Sequence, residues 1–355
     1  MPHPPTLVPL HELWFTRCPV PTATGIAADR GAFDAEFSGD GIQVRSFQDR
    51  PANGYREEHF THAHRTLIRE GGNVPALWAR STGADTRLIG LTWIEERQAI
   101  LVRAGDGPTT PEQLRGQRLA IPRHPVPIDF WRAMALKGFA GALAAAGLDL
   151  TDAHPVDVPA DGRHRGQWET ELAALARGKV DAVYVKGALA VESARRHGVA
   201  VGIELDDLPD PRSRINNGTP RPITVAGWLL DERPDLVDRF LAVLIEAADW
   251  AAGHPTEVAR ILSAETGAGT TGVAGAYRAG QHRTLHPDLS PERRTLLAEQ
   301  ERFLRDHGFL AASVDVRGWA DPEPLRRAHE LVTRRRQTPA TPVPPPATPG
   351  DRTGD

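Results

Sequence analysis

The sequence predicts an α/β fold in two lobes, and three observations predict it. Strand-like and helix-like stretches alternate along most of the chain, the order that builds sheets covered by helices. The segment from 117 to 220 carries its own strand and helix series, so it reads as a second α/β unit inserted into the first. The helices that dominate after residue 230 then return to the first unit. The expected organisation is lobe 1 from 8–116 and 221–335, an inserted lobe 2 from 117–220, and a tail from 336–355.

In chain order, LWFTRC reads as a strand, PTATGIAADRGAF as a helix and GIQVRSF as a second strand. A helix-like stretch occupies the residues from about 60 to 80, and RLIGLTWI and QAILVRA follow as strands. TPEQLRGQRLAIP is a short helix feeding a strand, and the Ala- and Leu-rich WRAMALKGFAGALAAAGLDL is a helix stopped by Gly147. HPVDVP, ETELAALARGK and VDAVYVKG give strand, helix and strand. DLVDRFLAVLIEAADWAAGH and the stretch Pro291–Gly308 are helices. The Pro- and Thr-rich tail from Arg336 has too few apolar residues to bury a core and is expected to be disordered. Repeated strand–helix units argue for parallel sheets that bind ligands at the C-terminal strand ends.

Composition narrows the function. A net charge of -4 supplies no basic field for nucleic acid or anionic lipid. No run approaches the roughly 18 to 20 apolar residues that cross a bilayer. The opening MPHPPTLVPLHELWF has no basic segment followed by an apolar one, so a cytoplasmic location is expected. The single cysteine, Cys18, excludes an intrachain disulfide and a cysteine-rich metal site. A reducing compartment would keep it a free thiol.

Three stretches carry candidate chemistry. Cys18 ends a strand just before a helix, where the helix dipole and free N–H groups favour a thiolate; Arg17 would act the same way if it faces the site. The bland alternative is a buried apolar filler. His59, His62 and His64, with Glu57 and Glu58, invite a metal reading. His59 and His62 could share a helix face while His64 points elsewhere, so a solvated histidine cluster is preferred and no metal is expected. Arg69-Glu70-Gly71-Gly72 joins a planar oxyanion fork to two glycines that let backbone N–H groups approach a ligand. That is an anion pocket for a carboxylate, sulfinate or phosphate, or else a helix terminus capped by glycines.

TPEQLRGQRLAIP and ALARGKVDAVYV resemble the crossover and second-lobe segments of the type II periplasmic-binding-protein fold, two α/β lobes around a cleft. Within that fold the chain resembles the 2'-hydroxybiphenyl-2-sulfinate desulfinase family of dibenzothiophene desulfurisation. Cys18-Pro19-Val20-Pro21 matches the family's Cys-Pro-Val-Pro, and His59-Phe60-Thr61 its His-Phe-Thr. Arg69, ten residues after His59, opens its Arg-x-Gly-Gly. Trp131 matches a tryptophan that opens a helix, and the likeness runs from about residue 8 to 320. The resemblance implies hydrolytic release of sulfite from an aryl sulfinate without a cofactor. It implies Cys18, His59 and Arg69 as catalytic residues and Arg69, Gly71, Gly72 and Trp131 as substrate contacts. It also implies a flavin monooxygenase as a pathway partner.

Departures lie near the expected cleft: Thr16 and Arg17 stand where the family has smaller neutral residues, and His62 and His64 replace an aromatic and an acidic residue. The loop IPRHPVPIDF also differs. The rival reading is a solute-binding protein that hands a small sulfonate or carboxylate to a transporter. An enzyme of the same fold acting on a pyrimidine precursor or a chorismate-like carboxylate ranks third.

Overall fold

A computed structural model describes residues 8–49, 55–94, 96–160 and 167–337. Among these residues ten strands carry the fold: β1 (Glu12–Thr16), β2 (Gln43–Ser46), β3 (Leu67–Glu70), β4 (Thr86–Thr92), β5 (Gln98–Val102), β6 (Arg118–Arg123), β7 (His154–Pro159), β8 (Ala182–Lys186), β9 (Ala200–Glu204) and β10 (Arg221–Ala226). They form two five-stranded sheets, ordered β2-β1-β3-β10-β4 and β7-β6-β8-β5-β9. Helices of each lobe pack on its sheet, and each lobe has its own apolar core.

Neither sheet is purely parallel, which corrects the expectation. β10 runs antiparallel to both β3 and β4, and β5 antiparallel to both β8 and β9. The cause is the path of the chain. It leaves the first sheet after β4 and enters the second with β5; it leaves after β9 and returns with β10. A strand entering from the cleft starts where its neighbours end, so it must run against them. Its first residues then lie at the cleft beside the last residues of the parallel strands. This also moves a boundary: β5, inside the 8–116 segment assigned to lobe 1, is a strand of the second sheet.

The helix expected over residues 60 to 80 is three elements. Helices α1 (Ala23–Asp29) and α2 (Ala32–Phe37) come first, separated at Gly31, whose φ of 67° suits glycine. Then α3 (Tyr55–Thr61) and α4 (Asn73–Ser81) flank β3. LIRE has helix-forming composition, yet all four residues are buried in mid-sheet, and tertiary burial decides. The long helix α5 (Phe130–Ala145) is apolar nearly all round and largely buried. Asp129 caps it by accepting from the Arg132 N–H at 3.0 Å.

A third apolar cluster joins the lobes on one side. Val74 and Leu77 of α4 meet Ile128, Ala133 of α5 and Leu297 and Leu304 of the helix Pro291–Asp306. Arg336 and Gln337 end the helix Glu323–Gln337 rather than starting a tail; the remaining tail, 338–355, lies outside the described residues. No helix among the described residues is long and apolar enough to cross a membrane.

Candidate active site

The strand ends of both sheets face one cleft of about 240 Å³, lined among others by Cys18, His59, Arg69, Gly72, Trp131 and Arg221. This volume lies at the small end for ligand pockets. Register explains the convergence. Thr16, the last residue of β1, pairs with Arg69 at the end of β3, so Cys18 emerges beside Arg69.

The Cys18 thiol, half-buried, donates to the Glu70 carbonyl at 3.6 Å. The helix dipole does not act on it as the sequence reading supposed. Helix α1 starts only at Ala23, Thr22 caps the Gly25 N–H at 3.0 Å, and the Thr24 N–H donates to Glu70 Oε2 at 3.3 Å. The N-terminal end of α1 is therefore taken by the Glu70 carboxyl group. Arg17 reaches the cleft mouth but is paired with Asp49 at 3.0 Å and Glu265 at 3.6 Å.

Arg69 is almost fully buried. Its Nη1 donates to the Gly72 carbonyl at 3.1 Å, while its Nε has no hydrogen-bond partner among the described residues. Burial lowers its pKa to about 10; the Cys18 sulfur opposes this and the Arg221 charge adds to it. Arg69 thus remains a cation at neutral pH. The two glycines after it divide their work. Gly71 does not contact the cleft: its N–H donates to the Pro222 carbonyl at 3.1 Å, and a Cβ there would strike the Arg69 guanidinium. Its lack of a side chain makes room for Arg69. Gly72 lines the cleft, and its N–H has no protein acceptor among the described residues. Asn217 holds this turn by accepting the Asn73 N–H at 2.7 Å and the Val74 N–H at 2.9 Å.

The three histidines go to three places. His59 lines the cleft. His62 lies beneath the surface in a left-handed conformation, φ 55°, with both ring nitrogens unpartnered among the described residues. His64 packs edge-on against Trp14 and Phe47. Glu57, named with them, has its side chain outside the described residues. Burial, and secondarily the Arg69 charge, lowers the His59 pKa from 6.5 to about 3, and the same causes lower that of His62 well below 6.5. Both imidazoles are neutral at pH 7.

Because the unfolded chain binds these protons more readily, stability is full above the unfolded pKa and is lost as pH falls from 6.5 toward 3. Urea midpoints measured between about pH 7 and pH 4 should therefore drop, and drop less in a His59→Gln, His62→Gln double variant. The same slope in both proteins would refute the assignment.

Trp131 lines the cleft beside Phe130 and Met134. It meets Phe130 at 4.8 Å and stands edge-on to Trp168 at 5.3 Å. These side chains form an apolar wall opposite the cationic floor.

Several residues in or just behind the cleft wall escaped the sequence reading. Glu70, quoted only as part of the arginine motif, is buried and accepts from Thr24 and, at 2.9 Å, from Thr92. Burial raises its pKa, against the hydrogen bonds of Thr24 and Thr92 and the Arg221 charge. Arg221 opens β10, Lys186 closes β8, and Lys186 pairs with Glu96. Only the strand topology brings these residues to the cleft. A charged residue at a strand end is otherwise unremarkable in a sequence.

The chain is 29% identical to the 2'-hydroxybiphenyl-2-sulfinate desulfinase of Rhodococcus erythropolis, over 89% of this chain and 93% of the relative. It matches the desulfinase of Rhodococcus qingshengii to the same extent. Among solved structures, a mutant of the desulfurization enzyme DSZB in complex with biphenyl-2-sulfinic acid superposes with a TM-score of 0.71 at 24% identity, covering 90% of this chain and 99% of that one. The periplasmic aliphatic sulphonate binding protein SsuA from Escherichia coli gives 0.66 at 17% identity, covering 88% and 92%. These likenesses establish the periplasmic-binding-protein-like fold expected from the sequence. Residues 72–258, more than half of the chain, match the sequence profile of the NMT1/THI5-like family, and the protein belongs to that family.

Proposed function

We propose that the protein is a desulfinase that cleaves the carbon–sulfur bond of an organic sulfinate and releases sulfite. The carrying observation is the chain's only thiol beside a buried arginine with an unsatisfied Nε, in a cleft with one neutral histidine. The likeness to 2'-hydroxybiphenyl-2-sulfinate desulfinases supports this reading. The net reaction is R–SO2⁻ + H2O → R–H + HSO3⁻, which balances without an oxidant or reductant.

In this scheme Arg69 and the Gly72 N–H hold the sulfinate oxygens, a preorganised oxyanion site in a dry cleft. Trp131 and Phe130 pack on the organic group. Cys18 enters as a thiol donating to the Glu70 carbonyl, a form suited to delivering its proton to the carbon that leaves sulfur. Water then adds its hydroxide to sulfur and returns a proton to the thiolate. Neutral His59 can orient that water and accept or donate its proton. Closure of the lobes would shield the site from bulk solvent.

The test is sulfite release by the purified protein from a panel of aryl and alkyl sulfinates, with the desulfinated product measured alongside. Equal amounts of sulfite and R–H are expected. Tight binding of sulfinates and sulfonates without any sulfite would favour the solute-binding reading, to which the fold shared with SsuA lends support.

A further inference from the structure

The cleft holds one more cation than a simple sulfinate needs. Arg221 is 3% exposed and lines the cleft, and its side chain makes no hydrogen bond or ion pair among the described residues. Its Nε and Nη1 are buried and unsatisfied. Among the described residues no carboxylate forms an ion pair with it, although Glu70 lies near enough to feel its charge. Lys186 and Glu96 pair with each other. Both oxygens of Glu70 are taken by Thr24 and Thr92, and burial favours the uncharged form of that carboxyl. Arg69 is a second cation close enough to feel Arg221.

The position of Arg221 is built, not incidental. It is the first residue of β10, paired with Thr92 across the ladder. The turn before it is anchored by Asn73, whose Nδ2 donates to the Asn216 and Pro220 carbonyls at 2.6 and 2.9 Å. Gly218 keeps that turn open: its absent Cβ would stand 3.1 Å from both Arg221 Nη2 and Lys186 Nζ. A buried guanidinium with free donors, held this firmly, calls for an anion.

We infer that the substrate carries a second oxyanion, of the carboxylate class, and that Arg221 is its receptor while Arg69 holds the sulfinate. The inference rests on the desulfinase reading for the identity of the first group, but not for the second. A sulfinate on Arg69 alone leaves Arg221 buried and uncompensated. A sulfinocarboxylate satisfies both guanidinium groups, with its organic core against Phe130, Trp131 and Met134.

The experiment compares benzenesulfinate with 2-carboxybenzenesulfinate in sulfite release, and benzoate with benzene-1,2-dicarboxylate in calorimetric binding. The wild-type protein should favour the doubly charged member of each pair by about 10- to 100-fold, the worth of one charge-assisted contact. In Arg221→Gln that ratio should collapse toward one, and Arg221→Lys should fall between. Equal handling of both members by the wild type overturns the inference, and needs no variant to fold. So does a preference that survives in Arg221→Gln. Arg221-dependent binding of the dicarboxylate with no sulfite from either sulfinate would sustain the inference and sink the desulfinase reading.

Discussion

Replacing Cys18 with serine is expected to lower kcat for sulfite release by roughly 10³-fold or more, the scale seen when a reacting nucleophile or proton donor is removed. Serine keeps the shape and a donor for the Glu70 carbonyl, which the thiol meets at 3.6 Å. The fold should therefore be unchanged. What is lost is the sulfur: a hydroxyl is a far weaker acid than a thiol, and its conjugate base is not formed near neutral pH. Substrate affinity should hardly move, because Arg69 and the Gly72 N–H carry the sulfinate in the proposed scheme. The measurement is kcat and KM for wild type and Cys18→Ser, with thermal unfolding of both. A serine variant retaining more than about a tenth of the activity would remove the thiol from the chemistry.

The lobes and most helices were legible because their signals are local. Alternating strand and helix patterns, glycine stops and Ala–Leu composition sit within short windows, and α5 is where the pattern put it. β3 was hidden because Leu67–Glu70 is only four residues long, with helix-forming composition, and is a strand through burial in mid-sheet. The antiparallel strands β5 and β10 were equally hidden. Their direction follows from where the chain crosses between lobes, which no local window contains.

The site divides along the same line. Cys18, His59 and Arg69 stand out in the sequence because they sit in motifs, and all three line one cleft. Gly71 and Gly72 looked alike in sequence, yet one shapes the space for a guanidinium and the other faces the cleft. The supposed helix-dipole activation of Cys18 failed because Glu70, invisible as a capping partner in the sequence, binds the N-terminus of α1 from another strand. Arg221 and Lys186 come from strand ends and Glu96 from the crossover between β4 and β5, positions far apart in the chain. They become a group only when two sheets meet.

Arg69 offers a test in which function and stability move apart. Arg69→Met should reduce kcat/KM by about 10²- to 10³-fold, since the oxyanion loses its charged, forked donor in a low-dielectric cleft. Stability should not fall by more than about 1 kcal/mol, the value of one ordinary hydrogen bond. The reasons oppose each other. The Gly72 carbonyl loses its 3.1 Å donor, but a buried cation with an unpartnered Nε disappears, and removing such a charge is often neutral or favourable. Arg69→Lys should do nearly as much harm to kcat/KM, because a buried amine loses its charge readily and cannot form two parallel bonds. Removing the charge also acts on its neighbour. Arg69 is the second cause, after burial, of the depressed His59 pKa, so in Arg69→Met that pKa should rise from about 3 part of the way toward 6.5. An NMR titration of the His59 ring reads this directly. Lost activity with an unshifted His59 would mean that the two side chains do not share one cleft. A shifted His59 with undiminished activity would mean that the sulfinate is held elsewhere.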